Sequence, residues 1–119
     1  MQDTTKITQR SATGASGSTV SIFSFDGDIT STAKDTILSA YHGLDGSASR
    51  LLLDFTAVDY INSSGIAIII QMLLDATKAG DQTVAIYGLS AHFNKVFTMV
   101  GINKYAALHA DEATALGTL

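Results

Sequence analysis

The sequence contains no cysteine and no proline, and only 15% of its 119 residues are charged. The absence of cysteine excludes disulfide bonds, thiolate metal ligands and cysteine nucleophiles. A typical globular chain carries roughly 25% charged residues, so the surface here is unusually neutral, as on proteins that bind partners. A chain of this length is expected to form one compact domain that buries its core without a metal or disulfide.

Basic residues are also scarce, with 7 lysines and arginines against 11 acidic residues and a net charge of -4. Nucleic-acid binding requires a basic stripe that neutralises phosphates, and no such stripe is present. The longest uninterrupted apolar run, Ile66 to Ile70, is far shorter than a membrane-spanning helix requires. The first residues lack the basic and apolar regions of a secretory signal. We therefore expect a cytoplasmic protein without membrane insertion.

Segments with strand patterns alternate with segments of helical periodicity. We predict strands at Lys6–Arg10, Thr19–Phe25, Arg50–Phe55, Gln82–Tyr87 and Tyr105–Leu108, and helices at Ser31–Leu44, at Ser63–Ala79, after Ser90 and from Asp111. This order predicts an α/β fold with a mixed, mostly parallel sheet of four to five strands and about four helices. Residues 1–18 are predicted to be a polar N-terminal segment with an edge strand, followed by one domain over residues 19–119.

Two of the predicted helices have distinct apolar patterns. The helix at Ser63–Ala79 has a single narrow polar stripe beyond its first turn, so it is expected to be largely buried and to end at Gly80. The helix after Ser90 is predicted to present one apolar face, formed by Phe93, Val96, Phe97 and Val100. The pattern leaves open whether Met99 and Tyr105 finish the core or lie exposed.

Common catalytic motifs are absent. Neither Ser63 nor Ser64 has the two flanking glycines of a nucleophile elbow, and no Gly-Lys pair of a phosphate-binding loop occurs. The histidines His42, His92 and His109 are too far apart in the chain to suggest a metal cluster, so we interpret them as surface or capping residues. Four aspartates lie at or just after the C-terminal ends of two of the predicted strands: Asp26, Asp28, Asp54 and Asp59. An enzyme using them with Mg²⁺ is the less favoured alternative, since turn and cap roles are commoner.

The most informative segment runs from Asp59 to Gly65, just before the buried helix. Asn62 is a favoured N-cap residue, which places Ser63, Ser64 and Gly65 in the first helical turn with unpaired amide groups. Such a position attracts anions, so a phosphate on Ser63 would be tolerated. No lysine or arginine occurs between Arg50 and Lys78, so the sequence offers no nearby cation to offset that charge. Two capping serines without further function remain the alternative.

Residues 51–66, which end in Asn62-Ser63-Ser64-Gly65-Ile66, resemble the hydrophobic strand, loop and Asp-Ser-Ser/Thr-Gly signature of the STAS-domain anti-sigma factor antagonists of bacteria. Residues 25–29, Phe-Asp-Gly-Asp-Ile, are similar to the Gly-Glu-Leu-Asp element of that family. Residues 88–90 and 96–102 resemble its third helix and the glycine exit of that helix. The resemblance spans about residues 19–109. Two positions depart from the pattern, since Asn62 and Thr30 stand where the family has aspartate.

The resemblance implies a small, non-enzymatic binding module without a cofactor or metal. In the family, the unmodified antagonist binds an anti-sigma factor that is also a serine kinase, and phosphorylation of the first signature serine breaks the complex. That serine corresponds to Ser63, with Ser64 as second choice, and a phosphatase is expected to reverse the modification. The expected partner-binding residues are Asp26, Gly27, Asp28, Thr30, Asn62, Ser63, Ser64 and Gly65. The alternative is a non-phosphorylated STAS module that holds a nucleotide or other anion, or serves in a larger assembly.

Overall fold

The computed structural model describes residues 5–44, 49–80 and 82–119. Its strands are β1 (Lys6–Thr13), β2 (Thr19–Asp26), β3 (Arg50–Ala57), β4 (Thr83–Tyr87) and β5 (Ala107–His109). Its α-helices are α1 (Lys34–His42), α2 (Ser63–Ala79), α3 (Ala91–Met99) and α4 (Glu112–Gly117), with short 3-10 turns at Ser31–Ala33 and Ile102–Lys104. None of the helices in these ranges has both the length and the apolar composition of a membrane-spanning segment.

The strands form one five-stranded sheet in the order β1-β2-β3-β4-β5. The β1 strand is antiparallel to β2, whereas β2, β3, β4 and β5 are mutually parallel. The predicted α/β fold with a mixed, mostly parallel sheet is therefore confirmed. The parallel order also brings the carboxyl ends of β2, β3 and β4 to one edge of the sheet, where open α/β sheets place their sites.

The sheet has a core on each face. The larger core lies under α1, α2 and α3 and contains Phe23, Phe25, Phe55, Ile69 and Phe97. The smaller core lies under α4 and contains Val20, Ile22, Leu52, Ala85, Tyr87, Ala115 and Leu119. Residues 51–55 of β3 are all buried, which confirms that this strand is covered on both faces.

Several predicted element bounds were wrong, among them that of β3, which continues to Ala57 instead of ending at Phe55. β1 continues to Thr13 instead of ending at Arg10, because its backbone pairs with β2 from Lys6–Asp26 to Thr13–Thr19. Most of its residues are exposed, so they carry no apolar pattern that would reveal the extra length. The first helix opens with a 3-10 turn and ends at His42, and the last strand covers Ala107–His109.

The predicted apolar face of α3 is correct at Phe93 and Phe97, which are buried, but wrong at Val100, which is 48% exposed. The helix ends at Met99 and the chain reverses at Gly101, whose φ is 88°, so Val100 falls beyond the part that packs on the sheet. Met99 and Tyr105, whose environment the sequence left open, are 75% and 43% exposed.

Candidate functional site

The loops that follow β2 and β3 are joined to each other at the carboxyl edge of the sheet. Ile29 and Ile61 form an isolated parallel bridge and are both buried. The backbone N–H of Ile29 donates to the carbonyl of Tyr60 at 2.9 Å, and the N–H of Asn62 donates to the carbonyl of Ile29 at 3.2 Å. The two loops therefore form one unit, although about thirty residues separate them in the chain.

Asn62 caps α2 as the sequence predicts. Its backbone is extended, and its side-chain Oδ1 accepts a hydrogen bond from the N–H of Gly65 at 2.8 Å. The carbonyl of Asn62 accepts the first helical hydrogen bond, from Ile66 at 2.9 Å. Asparagine therefore performs the capping task here, which needs a side-chain oxygen but no charge. The predicted helix bounds, Ser63–Ala79 with Gly80 as C-cap, are confirmed.

Gly65 is required by close packing at the start of α2. A Cβ atom at this position would lie 2.2 Å from the carbonyl oxygen of Ile29 and 2.9 Å from the Cγ2 atom of Ile61. Both distances are well inside van der Waals contact, so only glycine allows the helix to begin against the Ile29 loop. The glycine after the two serines thus sets how closely the Ser63 turn approaches the loop after β2.

Ser63 and Ser64 occupy the first turn of α2, and both are exposed. Neither hydroxyl forms a hydrogen bond with another group in residues 5–44, 49–80 and 82–119. The backbone amides of a first helical turn have no acceptor inside the helix, and the helix dipole adds a partial positive charge there. The Ser63 hydroxyl is thus accessible and lies where a negative charge is stabilised.

The other predicted contact residues lie in the loop after β2. They are Asp26, Gly27, Asp28 and Thr30, and the Ile29–Ile61 bridge connects them to the Ser63 turn. The carbonyl of Asp28 accepts a hydrogen bond from the hydroxyl of buried Thr5 at 2.8 Å, so the start of β1 supports this loop. Gly27 has a φ of 97° and donates to the carbonyl of Ala57 at 3.2 Å. All the predicted positions are therefore brought together.

Lys34 was missed by the sequence reasoning, which expected no cation near the serines. A groove of about 580 Å³ separates α1 from α2, and Lys34 of α1 lines it together with Ser64 of α2. The sequence reasoning considered only the segment around the serines, whereas Lys34 belongs to the neighbouring helix. The parallel topology is a signal that could have found it, since successive crossover helices begin at the same edge of the sheet.

Tyr60 was also missed. Its side chain is 51% exposed and precedes the Ile61 bridge, next to the Ser63 turn. Exposed aromatic side chains are enriched in protein interfaces because they bury a large area at low conformational cost. An aromatic residue beside the signature was the signal in the sequence that could have drawn attention to this position.

Asp54 is directed away from this site into the polar part of the smaller core. Its carboxylate accepts hydrogen bonds from the N–H of Thr56 at 2.9 Å, the hydroxyl of Thr56 at 2.7 Å and the hydroxyl of Ser24 at 3.0 Å. Burial raises the pKa of Asp54, but the hydrogen bonds from Thr56, Tyr87 and Ser24 outweigh it and hold that pKa below its ordinary value. Asp54 is thus a structural carboxylate.

Arg10, Tyr87 and Glu112 extend that polar cluster and attach α4 to the sheet. The Tyr87 hydroxyl donates to Glu112 at 2.9 Å, and Arg10 forms an ion pair with Glu112. The hydrogen bond from Arg10 is the largest cause of a lowered pKa at Glu112. Burial and the hydrogen bonds to Glu112 and Asp54 raise the pKa of Tyr87. These groups attach α4 to the sheet on the side of the smaller core, whereas α2 with Ser63 packs on the larger core.

Within the described residues, no three histidine, aspartate or glutamate side chains are grouped so that they could hold a metal ion. Asp26 and Asp59 are exposed, while Asp54 is engaged by Ser24 and Thr56. His42 and His92 are exposed, and His42 pairs with Asp75 at 3.1 Å. The strand-end aspartates among the described residues therefore do not form such a group.

Together these features define a small, mostly parallel α/β domain with an exposed, capped serine turn at the carboxyl edge of its sheet. A family model described as STAS domain matches residues 12–115. The chain belongs to the STAS domain family.

Solved structures share this fold at low sequence identity. An anti-sigma factor antagonist from Mycobacterium paratuberculosis has a TM-score of 0.70 and 18% identity over 93% of this chain and 92% of its own. The Bacillus cell fate determinant SpoIIAA in its phosphorylated form has a TM-score of 0.66 and 14% identity, over 92% of this chain and 96% of its own.

A third similar structure is a larger protein. The murine anion transporter Slc26a9, in the inward-facing state, has a TM-score of 0.69 and 14% identity. The match covers 97% of this chain but 22% of the transporter. Among curated protein sequences, none matches this chain. At these identities the structures establish the fold.

Proposed function

We propose that this chain is an anti-sigma factor antagonist that binds a kinase-type anti-sigma factor through the Ser63 turn and is released when Ser63 is phosphorylated. The observation that carries the proposal is the exposed Ser63 hydroxyl in the first turn of α2, at a helix start held rigidly by Asn62 and Gly65. Two proteins with similar folds, the one from Mycobacterium paratuberculosis and SpoIIAA, are named anti-sigma factor antagonists, and SpoIIAA is also known in a phosphorylated form.

The proposed contact surface consists of the Ser63 turn, the loop after β2 and Tyr60. Asp26, Asp59 and Tyr60 are exposed there, as are Ser63 and Ser64. An acidic surface with one exposed aromatic ring complements a partner surface that carries basic and apolar groups. The partner is therefore proposed to be a protein, and the module is proposed to act in the cytoplasm as a binding protein without enzymatic activity of its own.

Phosphorylation of Ser63 would weaken the docking of the partner and would leave the fold of this chain intact. A phosphate adds about -1.5 to -2 charges, and the amides of the first turn of α2 stabilise negative charge. The added charge lies four residues after the exposed Asp59, on the surface that the partner is proposed to approach closely. Repulsion and desolvation at that contact would weaken the complex, while the antagonist itself stays folded. A phosphatase that removes the phosphate would restore binding.

The test is to capture binding partners from a native lysate with the unmodified chain and to identify them and the state of Ser63 by mass spectrometry. The captured kinase is then incubated with ATP and with the parent, the Ser63→Ala variant and the matched Ser64→Ala control. We expect phosphate on the parent and on Ser64→Ala, and none on Ser63→Ala. We expect Ser63→Glu to bind the partner much more weakly than the parent. An unmodified Ser63 together with undiminished binding of Ser63→Glu would contradict the switch.

A second candidate function is a non-phosphorylated STAS module that holds a nucleotide or serves in a larger assembly. Two observations favour it: Asn62 and Thr30 replace family aspartates beside Ser63, and the same fold forms a part of Slc26a9. Titration with ATP, GTP and their diphosphates, followed by the melting temperature, separates the candidates. Saturable stabilisation by a nucleotide would favour this second function.

A further inference from the structure

A groove runs between α1 and α2, and both of its ends are polar. At one end, polar side chains of the two helices contact each other, and at the other end they form no such contact within the described residues. Both helices start at the carboxyl edge of the sheet because β2, β3 and β4 are parallel. At the far end, the Nε2 atom of His42 lies 3.1 Å from the Oδ2 atom of Asp75 and joins the two helices. Lys34 and His42, which both line the groove, are separated by a rise of about 12 Å along α1.

The middle of the groove is apolar. Leu38 of α1 and Ala67 and Ile68 of α2 line it between the two polar ends. Ala67 is exposed and Leu38 is half-buried, so apolar atoms face solvent along the groove instead of being covered by another element. The volume of about 580 Å³ lies within the range of pockets that hold small organic ligands, roughly 300 to 1,000 Å³.

The charges that line the groove are not equivalent. Both carboxylate oxygens of Asp75 have a partner, since His42 contacts Oδ2 and the side-chain amide of Gln71 donates to Oδ1 at 2.9 Å. Lys34, by contrast, forms no ion pair with any residue in the described part of the chain. Lys34 is therefore the charged group in the groove that has no partner among the described residues, and Ser31 and Ser64 line the groove with it.

We propose that this groove binds a small amphipathic organic anion. Its apolar body packs on Leu38, Ala67 and Ile68, and its anionic group pairs with Lys34 and accepts hydrogen bonds from Ser31 and Ser64. The apolar body gains affinity in proportion to the area that it removes from water. The ion pair at one end orients the ligand along the groove.

This site goes beyond the proposed protein docking and does not depend on a modification of Ser63. Ser64 nevertheless belongs both to the groove and to the Ser63 turn, so an occupied groove changes the surface that the partner meets. Ligand binding in the groove would thus regulate partner docking in addition to phosphorylation. The Ser63→Ala variant should bind the groove ligand as tightly as the parent does, so the outcome of this test is separate from the outcome of the phosphorylation test.

The test uses three probes with the same alkyl chain and different charge: octanoate, octanol and octylammonium. Each is titrated into the full-length ¹⁵N-labelled chain while amide chemical shifts are recorded. We expect saturable shifts with octanoate, centred on Leu38, Ala67 and Ser64. We expect weaker binding of octanol and the weakest of octylammonium. Equal affinity for the three probes, or shifts centred elsewhere, would overturn the proposal.

Variants of exposed residues locate the ligand. Lys34→Gln should weaken octanoate about fivefold, the effect of losing one exposed ion pair, and should leave octanol unchanged. The matched control Lys78→Gln, at the other end of α2, should change neither. Ala67→Trp fills the groove and should abolish binding of both probes, and Ala67→Glu should weaken octanoate selectively. Unchanged octanoate binding in Lys34→Gln and both Ala67 variants, with parental melting temperatures, would refute the site.

Discussion

The Cβ position of Gly65 lies 2.2 Å from the carbonyl oxygen of Ile29, so α2 begins in direct contact with the backbone of the loop after β2. The same Ile29 carbonyl accepts the N–H of Asn62, the residue that caps the helix. One backbone group therefore positions both the cap and the first turn that carries Ser63. The serine turn owes its rigidity to a residue more than thirty positions earlier in the chain.

Gly65→Ala should destabilise the protein. The added methyl group meets backbone atoms that cannot rotate away, so the start of α2 must shift, and overpacking of this kind costs roughly 1–3 kcal/mol. Urea denaturation measures the loss in the free energy of unfolding. Gly117→Ala is the matched control, because a Cβ at that helical position meets nothing within 4 Å. We expect that control to be neutral or slightly stabilising, and equal stability of the two variants would contradict the packing argument.

Asn62→Ala should lower the free energy of unfolding by about 1 kcal/mol, because the N–H of Gly65 loses its side-chain acceptor. Asn62→Asp restores the family residue and keeps the acceptor, so its stability should equal or exceed that of the parent. Asn94→Ala, on the exposed surface of α3, serves as the control and should have little effect. Chemical denaturation of the three variants checks this order. If Asn62→Ala has the same free energy of unfolding as the parent, the side-chain cap contributes nothing to stability.

Ser63→Glu should stabilise the fold while it weakens partner binding. A carboxylate in the first turn of α2 interacts favourably with the helix dipole, by about 0.3–1 kcal/mol at low salt. Lys78→Glu introduces the same side chain in the last turn and should destabilise the protein. Melting temperatures at low and high salt measure both effects, which should shrink as salt rises. A marked loss of stability in Ser63→Glu would mean that the charge disrupts the helix start.

Asp54→Asn should reveal a pH-dependent contribution of the buried carboxylate. The pKa of Asp54 is lowered by folding, so its ionised form stabilises the native state above the unfolded pKa near 3.8. That stabilisation is lost as the pH falls through the lower, folded-state pKa. The difference in unfolding free energy between parent and variant should therefore be about 1–3 kcal/mol at pH 7 and should shrink below about pH 4.

Denaturant unfolding at a series of pH values measures that difference for Asp54→Asn. Asp59→Asn provides an exposed control at the same edge of the sheet, and it should leave the unfolding free energy near that of the parent at pH 7. A difference for Asp54→Asn that stays constant between pH 7 and pH 3 would contradict the role assigned to the ionised carboxylate.

Local signals explain which parts of the fold and site could be predicted. The N-cap asparagine, the single polar stripe and Gly80 act within a few residues, so the bounds of α2 were predicted correctly from them. The apolar run of β3 likewise predicted a central strand buried on both faces. The exposed strand β1 and the end of α3 at Val100 were less predictable, since pairing and chain reversal define them.

Composition and local sequence patterns were sufficient to predict the class of fold and the capped serine turn. They also showed directly that the chain has few charged residues. Folding was needed to place Lys34 and Ser64 on one groove, to join Ile29 to Ile61 and to enclose Asp54 in hydrogen bonds away from the site. The physical reason is the range of the interactions. Caps and periodicity depend on neighbours along one helix or strand, whereas these contacts arise between crossover units that the parallel sheet brings to a common edge.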